Sequence, residues 1–90
     1  MPVIRVPGAL RRYAGGAASF EVGGGTVAEA LAEAFRLHPD LRLRLIDEDG
    51  RVHRHLVVFR NETELPREGL EDIALAPDDS LTFLEAIGGG

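Results

Sequence analysis

Apolar and polar residues alternate in short runs near both ends of the sequence and adopt a helical period only once between them. Val3 to Val6 is an apolar-rich run in which Ile4 and Val6 share one face of a strand. Ser19-Phe20-Glu21-Val22 alternates cleanly, turning Phe20 and Val22 inward and Ser19 and Glu21 outward. The connection from Pro7 to Ala18 contains Gly15-Gly16; it is longer than a tight hairpin turn but compatible with antiparallel pairing of the two strands. Gly23-Gly24-Gly25 breaks the second strand, and Thr26-Val27-Ala28-Glu29 fits a capping box. In that box the Thr26 hydroxyl accepts from the Glu29 amide and the Glu29 carboxylate reaches back to the Thr26 amide. Val27, Ala30, Leu31, Ala34 and Phe35 fall on one face of the helix that follows, and Pro39 ends it near His38.

The second half reads less evenly. Leu41, Leu43 and Leu45 alternate with Arg42 and Arg44 as a strand would, yet Leu41 and Leu45 also suit one turn of helix. Asp49-Gly50 marks a turn. Leu56-Val57-Val58-Phe59 is a strand bounded by Asn61-Glu62, and Pro66 and Gly69 confine the next element to a few residues around Leu65. After the Pro77-Asp78-Asp79 turn, Leu81-Thr82-Phe83-Leu84 forms the last strand. The order strand, strand, helix, strand, short strand, strand predicts an α+β domain. Its mixed sheet of four to five strands carries one main helix across one face and leaves the other face in solvent.

Composition narrows the chemistry. Ninety residues make one domain, and 44% apolar with 28% charged residues is a globular balance. Fifteen acidic against ten basic residues give a formal charge of −5, which argues against a nucleic-acid partner and favours a basic protein. Cysteine is absent, which excludes disulfides, thiolate-bound metal and a catalytic thiol. Every basic residue is arginine, so no side chain can form a Schiff base or accept an isopeptide branch. No apolar run approaches a membrane span, and Met1-Pro2-Val3-Ile4-Arg5 lacks the pattern of a secretory signal; a cytoplasmic location without membrane contact is expected.

The most informative segment is the last. The final strand feeds directly into Gly88-Gly89-Gly90, where the sequence stops. Glycine adds nothing to packing and carries a high ordering entropy; its useful property is thinness. An extended Gly-Gly segment enters a channel too narrow for any side chain. The stretch from Glu85 to Gly90 reaches at most about 20 Å, enough to place a terminal carboxylate in a partner's active site. The competing reading is a frayed end or a linker remnant.

Three further segments carry weight together: Gly-Gly-Thr-Val at the helix start, His55-Leu56-Val57-Val58-Phe59-Arg60-Asn61, and Asp78-Asp79-Ser80-Leu81-Thr82-Phe83-Leu84 running on to Gly-Gly. With the element order, they make the chain resemble the ubiquitin-like sulfur-carrier proteins of the MoaD/ThiS family over nearly its whole length. The stretch from Asp40 to Arg54 is most similar to the subgroup serving cysteine or thio-natural-product synthesis. Glu85 stands where many molybdopterin-type carriers have proline, Gly88 adds a third glycine, and Asn61-Glu62 replaces a frequent Asn-Gly turn.

The resemblance implies a β-grasp domain over residues 1–87 with a flexible glycine tail over 88–90, and a carrier rather than an enzyme. In such families a ubiquitin-activating-type adenylyltransferase/sulfurtransferase uses ATP and Mg to adenylate the terminal carboxylate, here that of Gly90. A sulfur donor then displaces AMP to leave a thiocarboxylate, which serves a sulfur-accepting biosynthetic enzyme. Gly88 and Gly89 would lie in the partner's channel. The carrier itself would bind no cofactor or metal and would be monomeric when free. By analogy with the fold, Leu81 and Phe83 face the helix with Leu56 and Val58, which leaves Val57, Phe59 and Leu84 as an apolar docking patch on the open sheet face. Two alternatives stand beside the carrier. One is a protein modifier joined to target lysines through the same glycine; the other is a β-grasp interaction module whose glycines are incidental.

Other signals have simpler readings. Asp79-Ser80-Leu81 matches the phosphopantetheine site of acyl carriers, but it precedes a strand and no room remains for that fold's helices. His53 and His55 would point the same way on a strand without a third metal ligand, and read as exposed histidines beside Arg51 and Arg54. Gly23-Gly24-Gly25-Thr26 lacks the Gly-Lys-Ser/Thr ending of a phosphate loop. Arg11-Arg12 with Arg5 reads as a solvated basic loop, with docking as its alternative.

Overall fold

The computed structural model describes residues 1–86. Five strands form one mixed sheet: β1 (Val3–Arg5), β2 (Ser19–Glu21), β3 (Leu56–Arg60), β4 (Thr63–Glu64) and β5 (Ser80–Glu85). Their order across the sheet is β2-β1-β5-β3-β4, so the last strand is central. β5 runs parallel to β1, with Ile4 opposite Leu81, and antiparallel to β3, with Val58 opposite Phe83. The register sets the faces: Ile4, Leu81, Phe83, Leu56 and Val58 are buried in one core with Val27, Ala30 and Ala34 of the main helix. The α+β class and the helix across one sheet face are as the pattern predicts.

The helix α1 (Val27–Leu37) begins at Thr26, whose hydroxyl accepts from the Glu29 amide at 3.2 Å. The other half of the box differs from expectation. The Glu29 carboxylate accepts from the Gly25 amide, at 2.8 Å, and not from that of Thr26. Gly24 is the reason: its φ of +124° folds the chain so tightly over the first turn that a Cβ there would lie 2.9 Å from the Ala30 nitrogen. This brings the Gly25 amide over Glu29, and only glycine fits the preceding position.

Two segments that the sequence left open take form in the structure. The first connection contains a 3-10 helix over Gly8–Ala14, which buries Ala14 and half-buries Leu10 and Tyr13 before Gly15 ends it at φ 67°. The Leu41–Leu45 ambiguity resolves as helix: a 3-10 turn over Pro39–Leu41 leads into α2 (Arg42–Leu45). Leu41 and Leu45, four apart, are both fully buried, whereas Leu43 is 71% exposed. Burying two leucines on one side of a turn outweighs an alternation that would have placed all three on one face.

Candidate functional site

The candidate site is the end of the sheet from which β5 leads toward the glycines, together with the open sheet face beside it. Gly88, Gly89 and Gly90, and the domain–tail boundary at residue 87, lie outside the described residues. The segment leading to them is fixed by backbone. Leu56 pairs with Glu85, and the Ala86 amide donates to the His55 carbonyl at 2.7 Å. β5 is paired with β1 as far as Thr82 and with β3 as far as Glu85, and the Ala86 amide extends the β3-side bonding one residue past the strand.

The faces fall as the alternation and fold analogy lead one to expect. Val57 lies opposite Leu84, and Phe59 opposite Thr82, on the side of the sheet away from α1. Val57 and Phe59 are half-buried and Leu84 is 44% exposed. Together these three form an apolar strip crossing β3 and β5 next to the strand that leads to the glycines. Arg5 and Thr82 continue this face on β1 and β5, and Glu64 borders Phe59 from β4.

At the opposite end of the sheet a polar clasp fixes the start of β5. Asn61, at φ 56°, turns the chain from β3 to β4; only the first of the two turn residues has positive φ, the sign pattern of a type II′ hairpin. Its amide nitrogen donates to Asp79 at 2.9 Å, and its amide oxygen accepts from the Ser80 backbone at 3.0 Å. The Asp79 carboxylate also accepts from the Ala76 amide, at 2.8 Å. The Asn61 donor first, then the Ala76 amide and the charge of Arg60, hold the Asp79 carboxyl below the usual carboxylate range. Ser80, expected as a turn residue just ahead of the strand, is its first residue, and it does not open the helix of an acyl carrier.

Arg67 is the residue that sequence reasoning missed. Its guanidinium donates to three carbonyl oxygens, those of Val52 at 2.7 Å, His53 at 2.7 Å and Leu56 at 2.9 Å. It thereby fixes the segment whose His55 carbonyl receives the Ala86 amide. The one available signal is that Arg67 is the sole basic residue in a strongly acidic stretch beyond Arg60. In the same segment, His53 and His55 lie outside any strand, contrary to the sequence reading. Their rings stack with centroids 5.3 Å apart, because the chain turns at Arg54 and His55. His53 Nε2 is 2.8 Å from the Leu43 carbonyl. Among the described residues, no group of three His, Cys, Asp or Glu side chains is placed to hold a metal. Asp47 closes the neighbouring turn by accepting from the Arg51 and Asp49 amides; these bonds, Arg51 first, lower its carboxyl pKa.

A small cavity of about 30 Å³ lies between β3 and the Leu65–Leu70 segment, and a broad open depression of about 1270 Å³ lies between α1, the Ile46–Val52 turn and residues 67–71. Among the described residues, no helix is long and apolar enough to cross a membrane.

Comparison with known proteins agrees with this geometry. The sulfur carrier protein CysO of Mycobacterium tuberculosis (strain H37Rv) is 28% identical over 89 residues, spanning 97% of this chain and 96% of that one. The CysO-containing crystal structure of the BexX/CysO complex from Amycolatopsis orientalis matches with a TM-score of 0.87 and 30% identity, covering all of both chains. The small archaeal modifier SAMP1 from Haloferax volcanii matches with a TM-score of 0.76 and 28% identity, over 99% of this chain and 98% of that one. These neighbours establish the ubiquitin-like β-grasp fold. The profile of the ThiS family matches residues 4–90, the glycines included, and the chain belongs to that family.

Proposed function

We propose that the chain is a sulfur carrier that works through the carboxylate of Gly90. The observation that carries the reading is the central position of β5: the strand running toward the glycines lies between β1 and β3, paired with β1 as far as Thr82 and with β3 as far as Glu85. A rigid body with a side-chain-free extension suits delivery of a carboxylate into a narrow channel. The end-to-end similarity to proteins named sulfur carriers supports the same reading.

The chemistry begins with attack of the Gly90 carboxylate on the α-phosphorus of Mg-bound ATP in an activating partner, which expels pyrophosphate. The acyl adenylate then has a good leaving group. Hydrosulfide or its equivalent attacks the acyl carbon, the carbon–oxygen bond to AMP breaks, and the thiocarboxylate remains with release of a proton. Its sulfur is a softer nucleophile than the original oxygen, and tethering it to a docked protein raises its local concentration at an acceptor enzyme. Gly88 and Gly89 occupy the channel in this reading, and Val57, Phe59 and Leu84 dock on the activating partner. ATP and Mg belong to that partner; the carrier itself binds neither.

The test is pyrophosphate exchange with the cognate activating enzyme. Val57→Asp and Leu84→Asp place a charge on the strip without touching the core, and should raise KM by about tenfold or more through a desolvated, unpaired carboxylate. Deletion of Gly88, Gly89 and Gly90 together should abolish exchange. Normal exchange without the three glycines would refute the carrier reading, whereas normal KM in both aspartate variants would refute the docking strip alone.

A second reading is favoured by the similarity to SAMP1, named a modifier: the same activated glycine joined to a target amine. Its product is a conjugate of higher mass in place of a free thiocarboxylate.

A further inference from the structure

We infer that a basic corner beside the root of the tail, built by Arg11, Arg12, Tyr13, Arg42, Leu43 and Arg44, is a second docking surface, which receives an acidic rim around the mouth of the activating enzyme's channel. The inference rests on the carrier reading above and extends it to residues that the open sheet face does not include.

Topology brings the corner to the tail. β1 is parallel to β5, so the 3-10 helix that follows it arrives at the end of the sheet where β5 finishes. The Pro39–Leu41 turn packs against that 3-10 helix and continues into α2. A continuous run of contacts then joins α2 to the tail root. The Leu43 carbonyl meets the His53 ring at 2.8 Å, His53 stacks on His55, and the His55 carbonyl accepts from the Ala86 amide at 2.7 Å.

The arginines there are unpaired among the described residues, with the exposed Asp40 in the adjoining turn. The chain as a whole carries −5, yet Arg11, Arg12, Arg42 and Arg44 gather on this corner and all are exposed. Among the described residues the one side-chain ion pair is Arg36–Glu33, elsewhere on α1, so none of the four is paired with a carboxylate. Tyr13 organises two of them: the guanidinium carbon of Arg44 lies 4.3 Å from its ring centroid and that of Arg12 5.8 Å. A guanidinium held against an aromatic ring loses little further freedom on binding and keeps N–H edges for carboxylates. Leu43, 71% exposed, adds an apolar contact among these charges. Arginine and tyrosine around an exposed leucine form the kind of cluster that carries binding energy at interfaces. An acidic rim is the complementary partner, and it would orient this otherwise acidic body tail-first.

Arg12→Glu/Arg44→Glu in the full chain provides the test, with pyrophosphate exchange by the cognate activating enzyme read at low and high salt. The expected result is a KM raised about tenfold or more at low salt with kcat within about twofold. The wild-type KM should itself rise with salt, narrowing the gap between the two proteins. Arg60→Glu, a reversal at the opposite end of the sheet from the corner, should leave KM unchanged. Arg12→Gln/Arg44→Gln gives the same ordering with a smaller effect should the reversal perturb folding, which circular dichroism checks. An unchanged KM in both double variants, or a wild-type KM indifferent to salt, overturns the proposal while leaving the carrier reading intact. A wild-type chain that supports no exchange at all overturns both.

Discussion

Replacing Arg67 with alanine should weaken the fold and loosen the root of the tail together. The three guanidinium–carbonyl contacts, at 2.7, 2.7 and 2.9 Å, join the Pro66–Gly69 segment to residues 52–56. Hydrogen bonds from a charged donor contribute about 1.5–3 kcal/mol each in protected settings, which as a sum overstates the effect here. The contact to His53 is exposed, and water can replace it; those to Val52 and Leu56 are partly buried, and their carbonyls would be left short of a donor. A net loss of about 2–4 kcal/mol follows, a large share of the roughly 5–13 kcal/mol expected of a domain this size. With each kcal/mol shifting Tm by about 4–8 °C, thermal unfolding should move down by about 8–32 °C. Arg67→Lys should recover part of this, since an ammonium supplies donors from a single point and cannot span three carbonyls.

The assay is urea or thermal unfolding of the full chain, with amide exchange followed at Leu56 and Ala86. The Leu56 amide donates to the His53 carbonyl and the Ala86 amide to that of His55, so both should exchange faster in Arg67→Ala than global destabilisation accounts for. A Tm within about 3 °C of wild type, with both amides as protected as before, would refute the assignment of Arg67 as the staple of this segment.

Acid sensitivity should trace partly to Asp79 and Asp47. Both carboxyls are held below their usual range by hydrogen bonds, so their stabilisation is present above the unfolded-state pKa of about 4 and is lost as pH falls through the lower folded-state values. Asn61→Ala, which removes the first cause of the Asp79 shift, should flatten the fall in the urea midpoint below about pH 4; an unchanged slope would contradict the clasp. Gly24→Ala should destabilise by about 1–3 kcal/mol, because φ of +124° is unfavourable for alanine and its Cβ would press on the Ala30 nitrogen at 2.9 Å. Calorimetry showing a Tm equal to wild type would count against that geometry.

The elements legible in the sequence are those with a local signature. The alternation in Ser19–Val22 and Leu81–Leu84, the helical face from Val27 to Phe35 and the Thr26 cap each follow from neighbouring residues. What escaped depends on partners distant in sequence. The Gly8–Ala14 helix has no apolar period of its own and is fixed by burying Ala14 and by packing on the Pro39–Leu41 turn. Leu41–Leu45 matched two periods until a core existed to choose between them. Arg67 bonds carbonyls 11 to 15 residues away, which no spacing rule can anticipate. At the candidate site, the faces of Val57, Phe59 and Leu84 could be assigned by fold analogy from the strand period, because one register fixes all three. The arginines of the basic corner were visible as residues but not as a group, since Arg12 and Arg44 meet only across Tyr13.

The central claim is sulfur carried on Gly90, and intact mass reads it most directly. The full chain, incubated with its cognate activating enzyme, Mg-ATP and a sulfide donor, should gain the mass difference between sulfur and oxygen. The gain should map to the C-terminal peptide and be absent when ATP is withheld or when Gly88, Gly89 and Gly90 are deleted together. A chain that remains at its unmodified mass while the same enzyme loads its established carrier would contradict the account.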